Sequence, residues 1–330
     1  IYYDFIDANY DLAKEYYLLS IAQGNINAII YLARICELIG QTDISKKYFE
    51  LLNFLDYGTN NIIKYCCVDP DPLVAITKIG YHYEYIDKNF DAAKLFYMIA
   101  TDNGNSQALT KLGTLYINIE HNIELSRKCY LEAIKKNDNE AMYLYSKFCL
   151  NVDHNPDSHI KYLQMAANCT PGNIAAMIDL GNYYVDNLNN LNISSNSANT
   201  DINIINENKY LATKYYQMAI DKNDNNAMFL MGKYYQRANN IIAKNYFIMA
   251  AECGNIQAML ELGIYYENKN KLVKAEKYFL DATGINQNNK NNQHNQYNQH
   301  NQHNQHNQHK QIINSTACQY TGQFYEKQKN

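Results

Sequence analysis

Tryptophan is absent from the 330 residues, and proline (4) and glycine (13) are scarce. So few turn-formers exclude an all-β chain built from many short strands. An excess of basic charge is missing too. Lys and Arg number 29 against 33 Asp and Glu, a net charge of −4, so no general surface exists for a phosphate backbone and nucleic acid is not expected as a partner. No apolar run is long enough to cross a membrane; the best, Ala28 to Ile39, is broken by Arg34 and Glu37. The chain opens Ile1-Tyr2-Tyr3 with neither Met nor a signal-peptide pattern, which reads as a segment of a longer protein. The eight cysteines lack any repeating pair spacing. That argues against a disulfide framework or zinc site, and for reduced thiols in the cytoplasm.

What is present is a core-forming composition, 47% apolar with 32 Tyr. A chain of this length exceeds what one compact core usually supports, so it holds two domains or is a solenoid whose units bury their faces on one another. Alignment on Ala75, Ala108, Ala141, Ala176, Ala227 and Ala258, with Ala28 before and Ala317 after, decides between them. Five residues on stand Ala33, Gly80, Gly113, Ser146, Gly181, Gly232, Gly263 and Gly322, all small. Eight residues on stand Cys36, Tyr83, Tyr116, Cys149, Tyr184, Tyr235, Tyr266 and Tyr325. These offsets share one helix face, the buried stripe of a first helix. Cysteine at an aromatic position behaves as a small buried hydrophobe.

A second helix comes next, built on small–x–x–aromatic–aromatic–x–x–small. Ala93…Phe96-Tyr97…Ala100, Ala212…Tyr215-Tyr216…Ala219, Ala243…Tyr246-Phe247…Ala250 and Ala275…Tyr278-Phe279…Ala282 are clear copies. Ala13…Tyr16-Tyr17…Ser20 and Ser126…Tyr130…Ala133 also fit; Ser45…Tyr48-Phe49 and Tyr162…Ala166 are weaker, giving eight second helices. Their fixed place in the repeat assigns the tyrosines to core packing. Between repeats, Gly24, Gly104, Asn137, Gly172, Asn223 and Gly254 suit the left-handed end of a helix. Asn25, Asn105, Asp138, Asn173, Asp224 and Asn255 come next, as N-caps of the succeeding helix. Joints this short force antiparallel neighbours.

Leu112-Gly113-x-x-Tyr116, with Tyr130 and Ala133 after it, resembles the tetratricopeptide pattern, and Ala250-Ala251-x-x-Gly254-Asn255-x-x-Ala258 resembles Sel1-like repeats. The resemblance covers roughly residues 10–284 and 312–328. Sel1-like units usually carry a Gly-rich loop between their helices, whereas the segment Glu267 to Lys271 is short and polar, as in a tetratricopeptide turn. The resemblance implies an all-α fold, an α-solenoid of antiparallel helix–turn–helix repeats forming a right-handed superhelix. It also implies a protein-interaction scaffold or adaptor rather than an enzyme, with no cofactor.

Three interruptions set the expected organisation. The repeat array spans 1–284, with insertions near 56–71 and 187–206; the first ends in Asp69-Pro70-Asp71-Pro72, a turn leading into a helix start. The second, rich in Asn, Ser and Ile, reads as a flexible loop within one repeat. Residues 285–311, with Asn-Gln-His triplets, read as a disordered low-complexity insertion, and 312–330 as the first helix of a further, truncated repeat.

No HExxH, CxxC pair, P-loop, GxSxG or GxGxxG occurs. His300, His303, His306 and His309 are regularly spaced, but a triplet expansion accounts for them better than a metal site. No catalytic residue or metal ligand is assigned. Interaction candidates come instead from the first-helix offsets −1, +2, +6 and +9, which face the concave groove in tetratricopeptide arrays, and the residues chosen stand at +2, +6 and +9. In the first repeats these are Arg34, Glu37, Thr77, Tyr81 and Glu84. The middle repeats add Thr110, Thr114, Tyr143, Lys147 and Asn182. The last are Phe229, Lys233, Gln236, Leu260, Ile264 and Glu267. A groove of this mixed character suits an extended or helical segment of a partner protein. The alternative is a structural spacer, or a self-associating module, with no groove ligand.

Overall fold

The computed structural model describes residues 10–23, 25, 27–52, 71–194, 202–284 and 303–328. Among them every regular element is helical. The chain divides into two compact units, residues 1–173 and 174–330. The first unit comprises α1 (Tyr10–Ala22), α2 (Ala28–Leu38), α3 (Thr42–Leu52), α4 (Pro72–His82), α5 (Phe90–Asp102), α6 (Ser106–Asn118), α7 (Ile123–Lys135), α8 (Asn139–Asn151) and α9 (Pro156–Asn168). In the second are α10 (Ile174–Ser194), α11 (Ile202–Ile220), α12 (Asn225–Tyr235), α13 (Asn240–Glu252), α14 (Ile256–Asn268), α15 (Leu272–Thr283) and α16 (His303–Gln328). Within each unit the helices pack in sequential pairs, α2 on α3, α4 on α5, α6 on α7, α8 on α9, then α10 on α11, α12 on α13 and α14 on α15. Each is therefore an α-solenoid of helix–turn–helix repeats.

Why the pairs hold is visible in two side-chain positions. In α5, α7, α11, α13 and α15 the second aromatic position of the second helix fills the notch left by the small residue of the first. A Cβ added at Gly80 would stand 2.7 Å from the Tyr97 ring, and at Gly232 or Gly263 2.5 or 2.4 Å from Phe247 or Phe279. The first aromatic of the pair lies flat on the ring at offset +8. Tyr83 stacks on Phe96 (centroids 5.4 Å apart), Tyr184 on Tyr215 (6.0 Å), Tyr235 on Tyr246 (6.0 Å) and Tyr266 on Tyr278 (5.6 Å). These four repeats thus combine close backbone approach with an offset aromatic pair, the second adding about 0.5–1.5 kcal/mol beyond area burial. Cys36, Cys129 and Cys149 are buried and free, and burial pushes the Cys129 thiol up to about 11.

Between repeats, one residue ends a helix with its N–H and begins the next with its side chain. Asn105 N donates to Ala100 O (2.9 Å), while its Oδ1 accepts from Ala108 N (2.8 Å). Asp138, Asp224 and Asn255 do the same for Ala141, Ala227 and Ala258. The preceding residues Gly104, Asn137, Asn223 and Gly254 have φ of 105°, 60°, 60° and 85°, the left-handed stop of a Schellman closure. Two expected joints differ. Gly172 has no left-handed φ, since Asn173 N reaches back to Ala166 O across a wider loop. Asn25 bonds Ser20 through its amide and does not cap α2, whose first turn is preceded by Asn27 with no side-chain cap.

The turns inside repeats carry their own caps. Asn89, Asn122, Asn155 and Asn239 accept from backbone N–H groups at the starts of α5, α7, α9 and α13. Lys88, His121 and His154 ahead of three of them have φ of 56°, 53° and 52°. Asp71 caps α4 with Pro72 in the first turn, as its sequence suggested; residues 53–70 lie outside the described set. Of the stretch 187–206, read as a loop, the described residues are helical, and residues 195–201 lie outside the described set. Helix α10 runs on to Ser194 and α11 already begins at Ile202. Leu188, four residues after Tyr184, is buried and extends the apolar stripe, and Asn lowers helix propensity only modestly. In the same way α16 starts at His303, inside the stretch read as low-complexity insertion; residues 285–302 lie outside the described set.

Candidate functional site

The three first-helix offsets prove unequal. At +2 the chain places contacts rather than a surface: Thr77, Thr110 and Leu260 are buried, a correction to their reading as groove residues. Both threonines also turn their hydroxyls onto their own helix, to Leu73 O (2.7 Å) and Ser106 O (3.1 Å). Tyr143 and Phe229 are half-buried, and Phe229 lies 5.8 Å from the core ring of Phe247. A solenoid helix is covered on more than one side, by its own hairpin partner and by its neighbours in the stack, and +2 falls on a covered side.

Offset +6 is the accessible row. Arg34 and Lys233 are exposed; Tyr81, Thr114, Lys147, Asn182 and Ile264 are half-buried. Part of this row has an internal task. Thr114 Oγ1 lies 3.1 Å from Tyr130 Oη, and Asn182 Oδ1 accepts from Tyr216 Oη at 2.7 Å. A buried phenol needs a partner, and these side chains supply it. Where Phe247 and Phe279 fill the notch, no hydroxyl needs satisfying, and +6 is free to be Lys233 or Ile264.

At +9, Glu37 is exposed and Gln236 and Glu267 half-buried. Glu84 is the exception, being only 7% exposed. Helix α4 passes into a single π-turn, Tyr83–Asp87, with Lys88 N donating to Tyr83 O. The extra residue in this turn rotates the end of the helix and brings Glu84 inward, where it accepts from Tyr97 Oη at 2.7 Å. Burial raises its carboxyl above the ordinary value of 4.5, against the opposing hydrogen bonds from Tyr97 and Tyr85 and the fields of Lys111 and Lys88. Burial likewise raises the Tyr97 phenol, and Glu84 adds to it.

Charges on the first helices tie successive repeats together. Lys111 of α6 meets Glu140 of α8 at 2.8 Å. Glu261 of α14 receives Lys233 of α12 (3.0 Å) and Gln236, the residue that caps the end of α12 (2.9 Å), and Lys327 of α16 meets Glu267 at 3.0 Å. Lys147 lies over the Tyr143 ring, 5.3 Å from its centroid. Sequence reasoning missed Lys111, Glu140 and Glu261; opposite charges on first helices of successive repeats were the signal available. No group of three His, Cys, Asp or Glu among the described residues could hold a metal ion. No helix among them is long and apolar enough to cross a membrane.

No family model and no curated protein matches the chain. Solved structures do. A Sel1 repeat protein from Oxalobacter formigenes is 20% identical, with a TM-score of 0.47, over 77% of this chain and 99% of its own. A protective antigen from uropathogenic Escherichia coli, displaying an SLR fold, is 14% identical, with a TM-score of 0.48, over 96% of this chain and 66% of its own. An immunity protein from Pseudomonas aeruginosa is 20% identical, with a TM-score of 0.41, over 59% and 70%. At such identity and overlap the likeness bears on neither partner nor activity.

Proposed function

We propose that this chain is a Sel1-like protein-interaction scaffold or adaptor of a reducing compartment, the cytoplasm, that holds a segment of a partner protein on its first-helix faces. The observation that carries this is the division of labour within the repeat. Offsets 0, +5 and +8 stay small or aromatic and serve the core, while +6 changes from Arg34 to Tyr81, Lys147, Lys233 and Ile264 and keeps contact with solvent. A recognition surface needs such variation on a fixed frame. A second reading, a structural spacer, is favoured by the pairs Lys111–Glu140 and Lys233–Glu261, which spend surface charge on joining repeats.

Affinity capture with the full chain separates the two. Wild type is run beside the Tyr143→Ser/Lys147→Glu variant, after circular dichroism has verified equal helicity. The adaptor reading expects a partner retained by wild type and lost from the variant. Identical recoveries from both baits would leave the spacer as the account.

A further inference from the structure

The tyrosine hydroxyls in the notches are satisfied by neutral groups at two repeats, Thr114 for Tyr130 and Asn182 for Tyr216. At the repeat of α4 the same duty for Tyr97 falls to a carboxylate, Glu84. A phenol does not require a charge as its acceptor, and a buried carboxylate is costly without a cation. Among the described residues Glu84 forms no ion pair; its bonds come from the hydroxyls of Tyr97 and Tyr85. The two nearby lysines are engaged elsewhere, Lys111 by Glu140 at 2.8 Å and Lys88 over the Tyr85 ring at 5.6 Å.

The surroundings suit a cation from outside. Tyr85 is 42% exposed and stacks on Tyr81 with centroids 4.3 Å apart, a platform of two π-faces beside a buried carboxyl group. Lys88 already lies over the Tyr85 ring, 5.6 Å from its centroid, a cation–π geometry that a stronger cation could take over. The placement depends on the π-turn, a distortion that recurs at functional sites. A planar guanidinium matches stacked rings and a carboxylate better than an ammonium does.

We propose that Glu84, with Tyr81 and Tyr85, receives an arginine side chain from a basic segment of the partner protein. This rests on the first-helix face being the partner surface. The arginine displaces Lys88 from the ring and the Tyr85 hydroxyl from the carboxylate, and sets a positive charge directly against Glu84, which forms no ion pair among the described residues. The free protein holds Glu84 at a cost to its own stability, which binding recovers.

The test uses the full chain and a fluorescein-labelled peptide of three Ala-Arg-Ser-Leu units, against its citrulline counterpart, read by fluorescence anisotropy at physiological salt. Wild type is expected to bind the arginine peptide at least tenfold more tightly than the citrulline one. Glu84→Gln should abolish that preference while melting no lower than wild type, and Glu124→Gln, an equal charge change at an exposed site on α7, should leave it intact. An arginine preference missing from wild type, or preserved in Glu84→Gln, overturns the proposal. If Glu84→Gln melts lower, Tyr85→Phe decides. It keeps the carboxylate and removes one competing hydroxyl, so it must bind the arginine peptide more tightly, and equal or weaker binding overturns the proposal. Failure here, with partner capture still lost in the Tyr143/Lys147 variant, would leave the surface standing and remove only the cation site. An arginine preference without that capture loss would do the reverse.

Discussion

Replacing Gly263 with alanine puts a Cβ 2.4 Å from Cε1 of Phe279, and 2.6 and 2.8 Å from Cδ1 and Cζ. Ordinary contact begins near 3.4 Å, so the ring must withdraw by about 1 Å from a site where Phe279 is fully buried. Overpacking of this kind costs about 1–3 kcal/mol. The same substitution gains about 1 kcal/mol of helix propensity, which blurs a single measurement. Gly322 in α16 supplies the internal control: it is helical, and an added Cβ there meets nothing within 4 Å. Gly322→Ala should therefore stabilise its helix by about 1 kcal/mol, leaving a gap of about 1–3 kcal/mol between the two variants as the clash alone. Gly113, where the contacts are 3.0–3.2 Å, should fall between them. Urea unfolding monitored by circular dichroism gives the global change. Amide exchange in α14 and α15 gives the local one, which matters because a repeat array can open unit by unit. Gly263→Ala proving as stable as Gly322→Ala would refute the notch.

The joints and the buried carboxylate lead to three further outcomes. His121→Gly and His154→Gly should each stabilise by roughly 1 kcal/mol, since both histidines hold a left-handed φ that costs a side chain about that much; thermal melts check this. Asn255→Ala should lose about 1 kcal/mol in denaturant unfolding as its cap on Ala258 N disappears, whereas Asn25→Ala, which caps no helix, should lose less. Glu84 has its folded pKa raised above 4.5, so its contribution to stability is fully present below that value and is lost as pH rises through the folded pKa. Urea titrations at several pH values should thus find Glu84→Gln gaining on wild type from acid toward neutral, and a constant difference would contradict the assignment.

The core of each repeat was legible in the sequence because it rests on identity at fixed offsets. Gly232 and Phe247, or Gly263 and Phe279, recur whatever lies between them. The joints were legible for the same reason at Asn105, Asp138, Asp224 and Asn255. The caps Asn89, Asn122 and Asn155 are not legible in the same way, because they stand outside the recurring first-helix offsets and asparagine is too common here for an isolated one to stand out. The candidate surface was legible only in part. Thr77, Thr110 and Leu260 satisfy the groove offsets, yet which sides of a helix are covered depends on stacking, which one repeat's pattern does not contain. Glu84 was displaced by a π-turn that no residue type announces. The helical extension through Leu188 was hidden by asparagines that read as loop.

The most direct test of the first-helix face as the binding surface is amide hydrogen exchange on the full chain, with and without the captured partner. Slowed exchange on binding should concentrate in α4, α6, α8, α12 and α14, around Tyr81, Lys147, Lys233 and Ile264. Protection confined, within either unit, to the second helices (α5 and α7, or α13 and α15) would contradict the assignment.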